Sequence, residues 1–169
     1  NGGVFVLTAE AVLPPAYDDG AGATVLTAVP FAGGPVDTSV ATAAVDDPQD
    51  CFNNGSTWYT FTPAADISVE VNTIGSGYNT ALGVYVGSPG SLSLIECNDN
   101  FYGGVQSAVQ FDATANTTYY FMVGFCCGNG ETGGGPPLVV VPPLFFNVQE
   151  IPPPSEMTIL VMDGNTGTL

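Results

Sequence analysis

The chain breaks into short runs in which apolar residues recur every second position, and Gly or Pro punctuates the stretches between them. The runs are VFVLTAEAV (4–12), ATVLTAV (23–29), STWYTFT (56–62), ISVEVNT (67–73), TALGVYV (80–86), SLSLIEC (91–97), SAVQFDA (107–113), TTYYFMVGF (117–125), LVVVPPLFFNVQEI (138–151) and MTILVMD (157–163). A period of two places alternate side chains on one face of a strand. In ISVEVNT, Ile67, Val69 and Val71 share one side, and Ser68, Glu70 and Asn72 the other. In TYYFMVGF the apolar set is Tyr119, Phe121, Val123 and Phe125. Helix signals are nearly absent. One buried face per strand predicts an all-β protein, two packed antiparallel sheets forming a jelly-roll-like sandwich. GSPGS (87–91) reads as a hairpin turn. NDNFYGG (98–104) and GNGETGGGPP (128–137) read as longer edge loops.

At 169 residues and 45% hydrophobic, the chain has room for one domain with a real core. Its charge is unusual. Only 9% of residues are charged, all 16 are Asp or Glu, and there is no Lys, Arg or His. A basic patch for nucleic acid or anionic lipid is therefore impossible, and those partners are excluded. No imidazole base, Schiff-base amine or guanidinium clamp exists. Lysine-dependent isopeptide or sortase-type chemistry is excluded as well. The formal charge of −16 must be tolerated or neutralised. Divalent cations are one means. Acid is another, since carboxylates titrate near pH 4. With no Lys or Arg for trypsin-like proteases, the composition suits a durable extracellular material.

Four cysteines, Cys51, Cys97, Cys126 and Cys127, lack the paired CxxC spacing of zinc sites. They read as two disulfides made in an oxidising compartment. The favoured pairing joins Cys51 and Cys97 each to one of the vicinal pair. The alternative joins Cys51 to Cys97 and leaves a vicinal bridge. No signal peptide and no transmembrane run is evident, so Asn1 reads as a mature N-terminus and membrane insertion is not expected. The organisation expected is an N-terminal apolar strand and hinge (1–16), a sandwich (17–151), and a Pro spacer with a C-terminal strand (152–169).

Between residues 37 and 127 the pattern becomes more specific. DTSVATA, DDPQDCFNNGSTWYTFTP, VNTIGSGYNTALGVYVG, LIECNDN and GGVQSAVQFDATANTTYYFMVG follow one another in that order. Together they resemble bacterial pre-peptidase C-terminal domains, which are secreted β-sandwiches often appended to peptidases. The resemblance spans about Tyr17 to Ile151. It implies core aromatics from the WYTFTP strand, followed by the YNTALGVY strand and the CNDN loop. Where that family often carries Asp, this chain has Asn79, which departs from the pattern for a calcium site there. The family predicts neither the missing basic residues nor the apolar tails.

Oxygen ligands for calcium are expected from Asp46, Asp47, Asp50, Asn98 and Asp99, with Asn100 beside them, in loops that the cysteines would draw together. Asx-turns capping the same loops are the alternative. Calcium is the one cofactor expected. Trp58, Tyr59 and Phe61 read as core. Phe101 and Tyr102, in a Gly-flanked loop, read as a contact for a sugar or a neighbouring subunit, or as simple loop anchors. Two sequons, Asn54-Gly-Ser and Asn116-Thr-Thr, offer N-glycosylation sites. No base of suitable pKa stands beside any Ser or Asp, and nothing marks a carboxylate pair for glycoside hydrolysis. The chain is not expected to be an enzyme.

The run containing Val4, Phe5, Val6 and Leu7 has three readings: a first strand of its own sandwich, a linker, or a donor strand that completes a neighbour's sheet. Donation explains the Pro14-Pro15 hinge and the family core, which the resemblance implies is complete without residues 1–14. MTILVMD, behind its Pro spacer, is a second donor candidate. Two function classes follow. One is a structural subunit that polymerises with itself into an extracellular filament or surface layer. The other is a calcium-stabilised module of a larger secreted protein, holding polysaccharide or protein.

Overall fold

The computed structural model describes residue 14 and residues 16–51, 55–126 and 143–153. The runs at 4–12 and 157–163, and the first part of the run at 138–151, lie outside these residues. Among the described residues there are nine strands and one short 3-10 turn, Gly20–Gly22. The strands are β1 (Thr24–Leu26), β2 (Phe31–Val36), β3 (Ser56–Phe61), β4 (Ile67–Asn72), β5 (Thr80–Ser88), β6 (Ser91–Asn98), β7 (Ala108–Ala113), β8 (Tyr119–Phe125) and β9 (Leu144–Glu150).

They form an all-β sandwich. One sheet has five strands in the order β1-β3-β8-β5-β6, and the other four in the order β2-β9-β4-β7. All neighbours run antiparallel except β1, which lies parallel to β3 through Thr24↔Tyr59 and Leu26↔Phe61. Between β5 and β6 the chain reverses at Pro89-Gly90. Gly87 and Gly90 have φ of +118° and +80°, a region in which a side chain is strained.

The core follows from the alternation. Val69 and Val71 of β4, Leu82 and Val84 of β5, Phe121 and Val123 of β8, and Leu144, Phe146 and Val148 of β9 point between the sheets and are essentially inaccessible. Tyr59 lies flat against Phe146 with centroids 4.0 Å apart, and Phe121 tilts against the same ring.

Two elements differ from expectation. FAGGPV carries no strand signal, because Gly and Pro disfavour strands. It becomes β2 because Phe31, Ala32 and Gly33 pair with Val148, Asn147 and Phe146, and the register slips before Val36. Trp58 is buried as expected, yet it faces away from Tyr59 and Phe61, into a second apolar cluster.

Replacing a fully buried aromatic ring leaves a void that neighbours cannot fill. Phe146→Ala is expected to lower unfolding stability by about 3–5 kcal/mol in urea titrations, whereas Val45→Ala, at a fully exposed position, changes it little.

Candidate functional site

The five-stranded sheet is apolar on both faces. Its outer face carries Trp58, Met122, Tyr85, Ala81 and Cys126, with Ala23, Cys51, Leu92 and Tyr120 packed around them. An apolar outer face needs a cover, and here the irregular segments 16–23 and 37–51 supply contacts to it. Tyr85 is completely buried. Its ring lies over Gly83, where an added Cβ would come within 2.6 Å of the ring and 2.7 Å of the hydroxyl, so only glycine fits.

Carboxylates fasten this cover. Asp18 accepts from the backbone N–H of Thr42 at 2.6 Å and from its hydroxyl. Asp47 accepts from Ala44 N–H at 2.9 Å and from Ser56 Oγ–H at 2.7 Å. The indole N–H of Trp58 donates to Ser56 Oγ at 3.1 Å. Backbone bonds from Ser56 to Thr42 and from Trp58 to Tyr17 continue the edge of β3 into the covering segments. Asp19 caps the 3-10 turn through Gly22 N–H, and Asp37 accepts from Ser39 N–H.

Burial pushes the carboxyl of Asp47 up, and the bonds from Ser56 and Ala44 only partly offset this. Burial also raises the Tyr85 phenol, helped by the negative charges of Asp50 and Asp47. Among the described residues the Tyr85 hydroxyl has no hydrogen-bond partner. The backbone N–H of Ser39 holds Asp37 below the ordinary carboxylate value.

Cys51 bonds to Cys97, with Cα atoms 5.8 Å apart. This overturns the favoured pairing of each with the vicinal cysteines and matches the alternative's first bond. Antiparallel geometry explains it. Gly83 stands opposite Cys97, and Cys51 Sγ sits 3.7 Å from the neighbouring Leu82 carbonyl, so the two sulfurs meet on one side of β5. Cys126 is buried in the same outer cluster. Cys127 lies outside the described residues.

The disulfide does draw together the loops expected to hold calcium, but two of the six candidate residues already use their side-chain oxygens locally. Asp47 is committed to Ala44 and Ser56, and Asn98 Oδ1 accepts from Ala108 N–H. Asp46 and Asp50 are exposed to solvent. Among the described residues no three Asp, Glu, His or Cys side chains gather closely enough to hold a metal. One oxygen stands apart: Asp99 Oδ1 is buried with no partner among the described residues.

Beyond it, Phe101 and Tyr102 form the tip of a tight loop closed by Phe101 N–H to Gln106 O and Gly104 N–H to Phe101 O. Their rings meet edge to face at 4.5 Å. Tyr102 is 94% exposed and has φ of +47°. Asn116 lies exposed in the turn between β7 and β8, its N–H bonded to Pro63 O. Asn54 and the run Val4, Phe5, Val6, Leu7 lie outside the described residues. Sequence reasoning missed Asp18, Thr42, Ser56 and Tyr85. The loop positions looked like ordinary turn chemistry, and Tyr85 fitted the alternation without revealing which face is covered.

No protein-family model matches this chain, and no curated protein matches it.

The titration of Asp47 has a definite sign. A folded-state pKa above the unfolded value stabilises fully below about pH 4, and that contribution fades as pH rises through the raised pKa. Exposed Asp37 acts oppositely, losing its contribution only in stronger acid. The melting temperature is therefore expected to be higher at pH 4.5 than at pH 7. In Asp47→Asn, whose amide oxygen still accepts from Ser56 and Ala44, the difference is expected to shrink.

Proposed function

We propose that this protein is a structural subunit of an extracellular filament or surface layer, and that one copy donates an apolar strand to the sheet of the next. The observation that carries this reading is the pair of sheet edges formed by β6 and β7. Among the described residues no strand pairs with the outer side of β6 or of β7, and β6 leaves Leu94 and Ile95 about 40% exposed. Natural edges are commonly guarded by Lys, which this chain lacks.

A donated strand forms backbone bonds to an open edge and fills pockets with alternate side chains. Burying Val4, Phe5, Val6 and Leu7 contributes on the order of 6–12 kcal/mol before ordering costs. The contact is head to tail, so it does not close, and a filament results. The half-buried Cys51–Cys97 bond fits an oxidising, extracellular setting. No helix of the described residues is long and apolar enough to cross a membrane.

All intersubunit charge terms between −16 chains are repulsive, so salt screening favours assembly. Light scattering behind size exclusion is expected to show polymers that grow as NaCl is raised from about 50 mM to about 500 mM. Removing residues 1–14 should return monomers. Monomers of the whole chain at every salt concentration would refute strand donation.

A second reading is a calcium-stabilised binding module of a larger secreted protein, in keeping with the resemblance to pre-peptidase C-terminal domains. The exposed Tyr102 and the Asp99 oxygen that lacks a partner among the described residues favour it. In that reading calcium chloride raises the melting temperature of the wild type, and Asp99→Asn abolishes the rise. An unchanged wild-type melting temperature would exclude a stabilising calcium site.

A further inference from the structure

The outer face of the four-stranded sheet differs from that of its partner sheet. Among the described residues no buried apolar cluster lies on it. Instead, register places Glu70 of β4 between Gln110 of β7 and Gln149 of β9, and Asn72 of β4 beside Asn147 of β9. Two of the chain's four glutamines therefore lie in one rung. The rungs are bonded internally. Gln110 Nε2 donates to Glu70 Oε2 at 2.7 Å, while Gln149 Nε2 and Asn72 Nδ2 both donate to Glu70 Oε1 at 3.1 Å. Asn147 Nδ2 donates to Asn72 Oδ1 at 3.1 Å and to the Ile74 carbonyl at 3.2 Å. Asn72 is only 7% exposed and forms the floor.

Along this floor runs a shallow groove of about 480 Å³, walled by Pro30, Phe31 and Ala32 on one side and Ile74 on the other. Its size falls in the range of about 300–1,000 Å³ usual for small-ligand sites.

We propose that this groove binds a neutral glycan. Three features select that chemistry. Carboxamides both donate and accept, as sugar hydroxyls do, and Gln149, which lines the groove, keeps one N–H and its carbonyl uncommitted among the described residues. The internal bonds hold these amides in place beforehand, which reduces the entropy lost on binding. Pro30 and Ile74 offer apolar surface for the C–H face of a sugar ring. Charge then excludes the alternatives. A chain of net charge −16 with no cation repels anionic ligands, and Glu70, already holding three amide donors, is a poor ligand for a cation.

The test is an array of neutral plant, fungal and bacterial glycans (glucans, mannans, galactans and xylans) with heparin and polygalacturonate as anionic controls. The whole chain is detected by antibody. Binding to at least one neutral class and to neither control is expected. Asn147→Ala/Gln149→Ala should lower that signal at least tenfold with an unchanged melting temperature. Gln149→Glu, which keeps length but replaces a donor with a like charge beside Glu70, should lower it as well. Tyr102→Ala should leave it unchanged. No signal on any neutral glycan would overturn the proposal, as would equal binding by the double variant. So would a loss seen only in Tyr102→Ala, which would move binding to the 98–104 loop. The site does not depend on strand donation, so monomers and polymers are expected to bind the same glycans.

Discussion

No side chain in this protein can carry a positive charge, so every carboxylate that leaves bulk water must find neutral donors. A buried carboxylate without compensation is very costly. The structure meets that constraint in three ways, with Asp99 Oδ1, buried and without a partner among the described residues, as the exception. Backbone N–H groups serve Asp18, Asp19, Asp37, Asp47 and Asp66. Hydroxyls serve Asp18, Asp47 and Asp112, through Thr42, Ser56 and Ser68. Amides serve Glu70. Each solution fixes local geometry more tightly than a salt bridge would, because backbone donors and short hydroxyl side chains have little freedom to reorient.

That constraint shapes both outer faces of the sandwich. On the five-stranded sheet, Asp18 and Asp47 draw backbone and hydroxyl donors toward themselves and fasten two irregular segments over Trp58 and Tyr85. The Cys51–Cys97 bond adds a covalent tie, of a kind typically worth about 2–4 kcal/mol. On the four-stranded sheet, one glutamate organises three amides into a fixed polar rung. The same chemistry thus yields a closed apolar layer on one side and an open polar groove on the other.

Much of the inner architecture was legible. Val69 and Val71 alternate with Ser68 and Glu70, and Tyr119, Phe121 and Val123 do the same, because a strand with one buried face must repeat every two residues. FAGGPV was illegible because its strand character comes from pairing with β9 rather than from its own residues. Trp58 was legible as buried but not as facing outward, since a period of two cannot say which face is the inner one when both are covered. The cysteine pairing failed for a related reason. It rests on where the chain places each loop, and Cys97 of β6 meets Cys51 of the covering loop on one side of β5, 46 residues apart in sequence.

By itself the sequence determined that this chain is all-β and that it has no cationic side chain. These follow from periodicity and from residue types that are present or absent, and both are local properties. Tertiary structure alone decided which face of each strand is inner, which cysteines meet, and that Glu70, Gln110 and Gln149 stand in one rung. Those facts depend on register between strands as far apart as Glu70 and Gln149, 79 residues. Register is set by the joint packing of both sheets, which no single stretch of the chain encodes.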